Sequence, residues 1–124
     1  HEQLLEILRS IRSDSKRIVS ANVPNNGAVP NLPDDAVLEL PTAAGATGMR
    51  PLQLLDFPDP LSALLIRKLA ATRLTVEAAL QGDRALFVEA LLVDGAVTDP
   101  ETAAKMADEL LAAHRQYLPN FFAS

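Results

Sequence analysis

At 124 residues the chain has the length of one domain, enough to bury an ordinary core without disulfide or metal staples. Hydrophobic residues at 48% and charged residues at 22% argue against disorder, and the absence of Cys excludes a disulfide framework, a thiolate nucleophile and a Cys-ligated metal. Sixteen acidic against eleven basic residues leave a formal charge of −5, a poor match for nucleic-acid phosphates, and no apolar run approaches the roughly 20 residues that cross a bilayer.

Aromatics are scarce and Trp is absent, so the core must be built from Leu, Val, Ile and Ala. The chain opens at His1 without an initiator Met and directly inside a helical pattern, which is expected of a piece cut from a longer protein. Residues 2–12 place Leu4, Leu5, Leu8 and Ile11 at helical spacing with Glu and Arg on the far side. A helix this short is marginal in water, so it needs a partner surface.

Arg17 to Val23 reads as a strand, ended by Pro24, which has no N–H to donate. Asn25-Asn26-Gly27 tolerates the positive φ of a tight turn, and Ala28 to Pro33 is expected to be extended. Asp34-Asp35 turns the chain into a second strand, Ala36 to Leu40. Thr42 to Gly48 reads as a small, flexible surface loop or as a β-turn extension that reverses the chain, and Met49 to Pro60 as an irregular segment pinned by Leu52, Leu54, Leu55 and Phe57.

Three helices follow. Asp59-Pro60 is a start signal, and the helix it opens runs to about Gln81, stopping at Gly82. Leu61, Leu64, Leu65, Leu69, Val76 and Leu80 form a broad apolar stripe on it, with Arg67, Lys68 and Arg73 off the stripe. Asp83 caps a second helix over 84–93, with Leu86, Phe87, Ala90 and Leu91 inward. Asp99-Pro100 opens the last, over 101–117, with Ala103, Met106, Ala107, Leu110, Leu111 and His114 on the apolar side. The Ala-rich faces allow close helix approach.

The chemical inventory is thin. His114 has no nucleophile or second ligand placed beside it, so a structural or surface role is the simpler reading. Asp34 and Asp35 are adjacent and point to opposite faces of an extended chain, so they cannot work as a pair. Gly45 and Gly48 lead into Met49 and a Pro-containing segment instead of a helix, which fails the context of a dinucleotide fingerprint. No nucleophile elbow and no spaced metal-ligand set appears, so no catalytic and no metal-binding residue is assigned. Asn22, Asn25 and Asn26 remain as binding candidates, because amides both donate to and accept from sugar hydroxyls or a cofactor. The competing reading, that they satisfy backbone groups in turns, is favoured by spacing alone.

Asn22 to Pro41, NVPNNGAVPNLPDDAVLELP, resembles a segment of family 4 glycoside hydrolases. There a strand ending Asn-x-x-Asn-x-Gly leads to a Leu-Pro-acidic turn and a strand ending Val-x-Glu-x-Pro. The later RPLQLLDFPDPLSALL and LTVEAALQGDRALFVEALL are similar to that family's following helices. The likeness covers essentially the whole chain, and its specificity rests on the first block. TAAGATG departs from the family's wording at that loop.

The resemblance implies an α+β fold, with helices packed on a small antiparallel sheet as in the lactate/malate dehydrogenase C-terminal domain. It implies that residues 1–124 are a single domain, the C-terminal part of an enzyme whose dinucleotide-binding part lies upstream. That parent would be an NAD- and divalent-metal-dependent glycosidase, with manganese as the metal, acting on a glycoside or phosphoglycoside. Its redox-elimination route oxidises the sugar at C3, removes the C2 proton, eliminates the leaving group, adds water and reduces the ketone again, outside the two-carboxylate scheme of most glycosidases. The family's metal ligands and basic Tyr lie upstream, and Tyr117 does not correspond to the latter. The chain alone is expected to be inactive and to bind neither NAD nor metal. It would form one wall of an active-site cleft and part of a homo-oligomer interface in a cytoplasmic enzyme, and Asn22, Asn25 and Asn26 would face that cleft. The alternative is a free-standing helical interaction domain without catalytic activity.

Overall fold

The computed structural model describes residues 2–122, with side chains from Leu4 onward, so His1 lies outside the described residues. Helix α1 (Glu2–Ser13) leads into strands β1 (Arg17–Pro24), β2 (Val37–Gly45) and β3 (Gly48–Pro51), followed by helices α2 (Asp59–Gln81), α3 (Arg84–Asp94) and α4 (Pro100–Ala113). Single 3-10 turns at Arg115–Tyr117 and Pro119–Phe122 close the chain. The strands form one antiparallel sheet in the order β1-β2-β3, so the fold is the α+β arrangement expected. The chain divides into two compact units, one ending at Ser62 and the other beginning at Ala63.

In the first unit β1 and β2 run in register from Arg17↔Ala44 to Pro24↔Val37. Alternation buries Val19 and Val23 of β1 and Leu40, Thr42 and Ala44 of β2. Of the two readings of Thr42 to Gly48, the structure has the chain-reversing turn extension and not the flexible loop. β2 continues to Gly45, where it pairs with Gly48 across a two-residue turn, and β3 occupies the start of the segment expected to be irregular. Thr42 and Ala44 are fully buried because their small side chains let neighbours approach the strand, which is also why they read as loop. Ser10 of α1 donates its hydroxyl to the Ala44 carbonyl at 2.7 Å and accepts the Arg17 N–H at 2.9 Å. One hydroxyl thus ties α1 to both strands.

The 25–36 connection is a second correction. Ala28 to Pro33 is a series of turns and bends instead of extended, and it folds into the core, where Ala28, Val29 and Leu32 cluster with Val23 and Leu40. Leu54 and Phe57 pack against that cluster as expected, whereas Leu52 and Leu55 are exposed.

In the second unit the packing is made by alanines: Ala71, Ala78, Ala90, Ala103 and Ala107 are buried together with Leu111. The cap signals hold. Asp83 accepts the Ala85 and Leu86 N–H groups at 2.7 and 3.1 Å, Asp99 accepts from Thr102 at 2.7 Å, and Gly82 and Gly95 adopt positive φ. The broad apolar stripe of α2 is largely uncovered, with Leu69 its one half-buried member. Leu61, Leu64, Leu65, Val76 and Leu80 are exposed, while Ala71 and Ala78, seven residues apart on one side of the helix, are buried. Close approach is made at small residues, which leaves the large ones outside. α4 ends at Ala113, four residues short of the expected limit, and His114 is exposed beyond it, its Nδ1 2.9 Å from the Leu110 carbonyl.

Arg84 of α3 grips Asp108 of α4 side-on, its Nε and Nη2 donating to the two carboxylate oxygens at 2.6 and 2.9 Å. Lys68 reaches Asp94 at 2.5 Å, and the Arg67 Nε donates to the Val93 carbonyl at 2.6 Å, so two cations serve the C-terminal end of α3. The chain's last turn folds back on α2: Asn120 donates to the Ala79 and Leu80 carbonyls, and Phe121 meets Phe87 edge-on with ring centroids 6.3 Å apart.

Candidate functional site

The sequence candidates sit where β1 ends and the 25–36 loop begins, and the three asparagines occupy three environments. Asn22 is exposed on the face of β1 opposite Val23, paired across the strands with Glu39. Asn26 is exposed with φ of +44°, its N–H donating to the Asp34 carbonyl at 3.0 Å. Asn25 is fully buried. Its Nδ2 donates to the carbonyls of Val29, Leu32 and Pro33 at 3.0–3.1 Å, and its Oδ1 accepts the Val29 N–H at 2.7 Å. Both ends of that amide are committed to the loop, which leaves Asn22 and Asn26 as the members able to meet a ligand.

Sequence reasoning passed over Asn31. Its Nδ2 donates to the Phe57 carbonyl at 2.9 Å and to the Asp59 carboxylate at 2.8 Å, fastening the loop to the segment that enters α2. Two acceptors on one nitrogen fix the orientation of the amide, and the remaining Oδ1 is buried without a protein partner. Asp59 therefore holds Asn31 at the start of α2. An Asn just before Leu-Pro was the available signal, but Asn is so common in turns that spacing does not set it apart. Beside Phe57 lies a shallow depression of about 340 Å³ lined by Gln53, Leu54, Leu55, Asp56, Phe57 and Pro58.

What this surface offers is amide and carbonyl hydrogen bonding. Among the described residues no group of three His, Cys, Asp or Glu lies close enough to hold a metal ion. Asp34 and Asp35 form a turn, as expected. The carboxylates held below the usual range, Asp94, Asp99 and Asp108, owe it first to hydrogen bonds from Lys68, Thr102 and Arg84, each a partner in helix packing or capping. Among the described residues the side chains do not compose a divalent-metal site, and no reaction step is assigned to them. Among the described residues no helix is long and apolar enough to cross a membrane.

Fold and surface thus define an α+β scaffold, a small antiparallel sheet with helices, whose loops present amide and carbonyl groups. Residues 1–97 match the family 4 glycosyl hydrolase C-terminal domain, and the chain belongs to that family. It is 33% identical to the probable 6-phospho-beta-glucosidase of Bacillus subtilis and 32% identical to the alpha-galactosidase of Rhizobium meliloti, in each case over 94% of its own length. It spans only 26% and 27% of those relatives. Among solved structures, it matches the 6-phospho-beta glucosidase of Thermotoga maritima with manganese, NAD+ and glucose-6-phosphate. That match has a TM-score of 0.84 at 30% identity, over 93% of this chain and 28% of that one. A 6-phospho-alpha-glucosidase from gut microorganisms, in complex with NAD and glucose-6-phosphate, matches with a TM-score of 0.82 at 28% identity, over 94% of this chain and 26% of that one.

Proposed function

We propose that the chain is the C-terminal portion, residues 1–124 acting as one domain, of an NAD- and manganese-dependent glycosidase that cleaves O-glycosidic bonds of phosphorylated sugars by redox elimination. The observation that carries this reading is the match along 93% of the chain to a structure holding manganese, NAD+ and glucose-6-phosphate together. When bound, NAD and the metal supply hydride transfer and polarisation of the sugar, and the chain's own residues supply neither. Its work is to wall one side of the cleft. Asn25 sets the loop, and Asn22 and Asn26 present amides to sugar hydroxyls or to the cofactor.

The parent is proposed to be a cytoplasmic homo-oligomer with no nucleic-acid or membrane partner. The uncovered apolar residues of α2, Leu61, Leu65, Val76 and Leu80, support self-association, because a solvated helix face is normally polar. The acidic balance supports the absence of a nucleic-acid partner. A free-standing interaction domain is not favoured, since the family relationship spans most of the chain.

The mechanism is tested by hydrolysis of a phosphorylated glycoside in D2O by the longer polypeptide that carries this domain. Deuterium at C2 of the released sugar is expected. Product without C2 deuterium would rule out redox elimination.

A further inference from the structure

Asn26 is followed by Gly27, so no side chain shields the peptide nitrogen that comes directly after the Asn26 amide. Asn26 is exposed, and among the described residues neither its side-chain amide nor the Gly27 N–H makes a hydrogen bond. A Cβ placed at Gly27 would meet nothing within 4 Å, so the peptide joining the two residues has room to turn. The other asparagines are guarded. Asn25 is fully buried with both ends of its amide bonded. Asn31 and Asn120 hold their Nδ2 atoms on fixed acceptors and are followed by Leu32 and Phe121. Asn22 is exposed but precedes Val23, a β-branched residue paired with Leu38 in the sheet.

We infer that Asn26 is a site of spontaneous covalent modification, closing on Gly27 to a cyclic imide that opens to aspartate and isoaspartate. Asparagine is a chemically labile residue, and here nothing in the fold restrains it. The Gly27 nitrogen gives its proton to hydroxide and bonds to the Asn26 Cγ; the Cγ–Nδ2 bond breaks and Nδ2 leaves as ammonia. Water then adds to either imide carbonyl. Addition at Cγ breaks the new bond and leaves aspartate in an ordinary backbone. Addition at the main-chain carbonyl carbon breaks the original peptide bond instead, and the chain then runs through the side chain. The net change consumes a water and releases ammonia, with no oxidant or reductant. The modification stands apart from the proposed function, but its consequence rests on it. An amide that donates and accepts becomes a carboxylate that only accepts, in a residue whose N–H already bonds the carbonyl of Asp34. The iso form also lengthens the backbone of the loop that Asn25 fixes. One of the amides offered to sugar or cofactor is thereby lost with age.

The test ages this chain in neutral buffer beside the same chain unfolded in urea and the Asn26→Gln variant. Peptides are mapped by mass spectrometry with electron-transfer fragmentation, which separates aspartate from isoaspartate. A gain of about 1 Da at Asn26, with both products present and a rate within about tenfold of that in urea, is the expected result. Asn26→Gln, whose longer side chain must close a larger ring, should stay unmodified at that position. An Asn26 that changes more than about tenfold more slowly in the folded chain than in urea would overturn the inference, because the fold would then protect it. A gain that falls chiefly on Asn22, Asn31 or Asn120 would equally overturn it. The longer polypeptide, aged in the same way and assayed with a phosphorylated glycoside, NAD and Mn2+, separates the modification from its consequence. Its kcat/KM should fall in step with the modified fraction, while Asn26→Gln keeps its own starting value. Full modification with kcat/KM unchanged would remove Asn26 from the functional reading and leave the inference standing.

Discussion

The side-chain amide of Asn25 pairs with both backbone groups of Val29, accepting its N–H at 2.7 Å and donating to its carbonyl at 3.0 Å. The side chain thus stands in for a peptide unit and closes a ring inside the core. With its further donations to Leu32 and Pro33 it substitutes for the strand ladder that a loop of this length lacks.

Asn25→Ala should therefore destabilise by about 3 kcal/mol, because it strands several buried backbone groups at once. Asn25→Asp should cost at least as much, since it keeps the acceptor for Val29 but turns a carboxylate oxygen toward three carbonyls. Urea unfolding followed by circular dichroism checks both. An Asn25→Ala midpoint within error of wild type would contradict the role assigned to this amide.

Ser10→Ala removes a fully used hydroxyl from the joint between α1 and the sheet, leaving the Arg17 N–H and the Ala44 carbonyl without that partner. A loss of about 1–2 kcal/mol is expected, together with faster exchange at α1 amides. Ser10→Thr, which retains the hydroxyl, should lose less.

Gly82 ends α2 at φ +68°, and a Cβ there would collide with the backbone of Asn120. Gly82→Ala should cost about 1–2 kcal/mol from the left-handed strain alone. It should also loosen the contact of Phe121 with Phe87, readable as changed near-ultraviolet dichroism. Gly27→Ala, also at positive φ but with open space around its Cβ position, should cost less.

Asp94, Asp99 and Asp108 ionise more easily in the folded chain than in the unfolded one, chiefly through hydrogen bonds from Lys68, Thr102 and Arg84. A depressed folded pKa contributes stability that is complete above the unfolded value of about 3.9 and is lost as pH falls through the folded value. Stability should hold from about pH 5 to 8 and decline below about 4, less steeply in high salt because these groups are solvent-accessible. Urea midpoints across that range at two ionic strengths test this. Stability that rises on acidification would contradict it.

The helices were legible because their ends carry unambiguous chemistry: Asp83, Asp99-Pro100, Gly82 and Gly95 each do in the structure what their residue type prescribes. The inside and outside of α2 and α1 were not. Periodicity locates an apolar stripe but cannot say what covers it, and here Ala71, Ala78 and Ser10 are buried while the leucines face out. The β2–β3 hairpin was legible only as one of two readings, because Thr42, Ala43, Ala44 and Gly45 are small, and small residues mark a loop and a tight contact equally well. Asn25 and Asn31 were visible as residues but not as roles. Hydrogen bonds to Pro33, eight residues on, and to Asp59 depend on a fold that local spacing does not encode.

The central claim is that this domain serves a redox glycosidase whose chemistry lies in the rest of its polypeptide. It is tested most directly by assaying a phosphorylated glycoside with this chain alone and with the longer polypeptide, each with and without NAD and Mn2+. Hydrolysis by the longer polypeptide only when both cofactors are present, and none by this chain under any condition, is the predicted result. Hydrolysis that persists after NAD and metal are stripped away would contradict it.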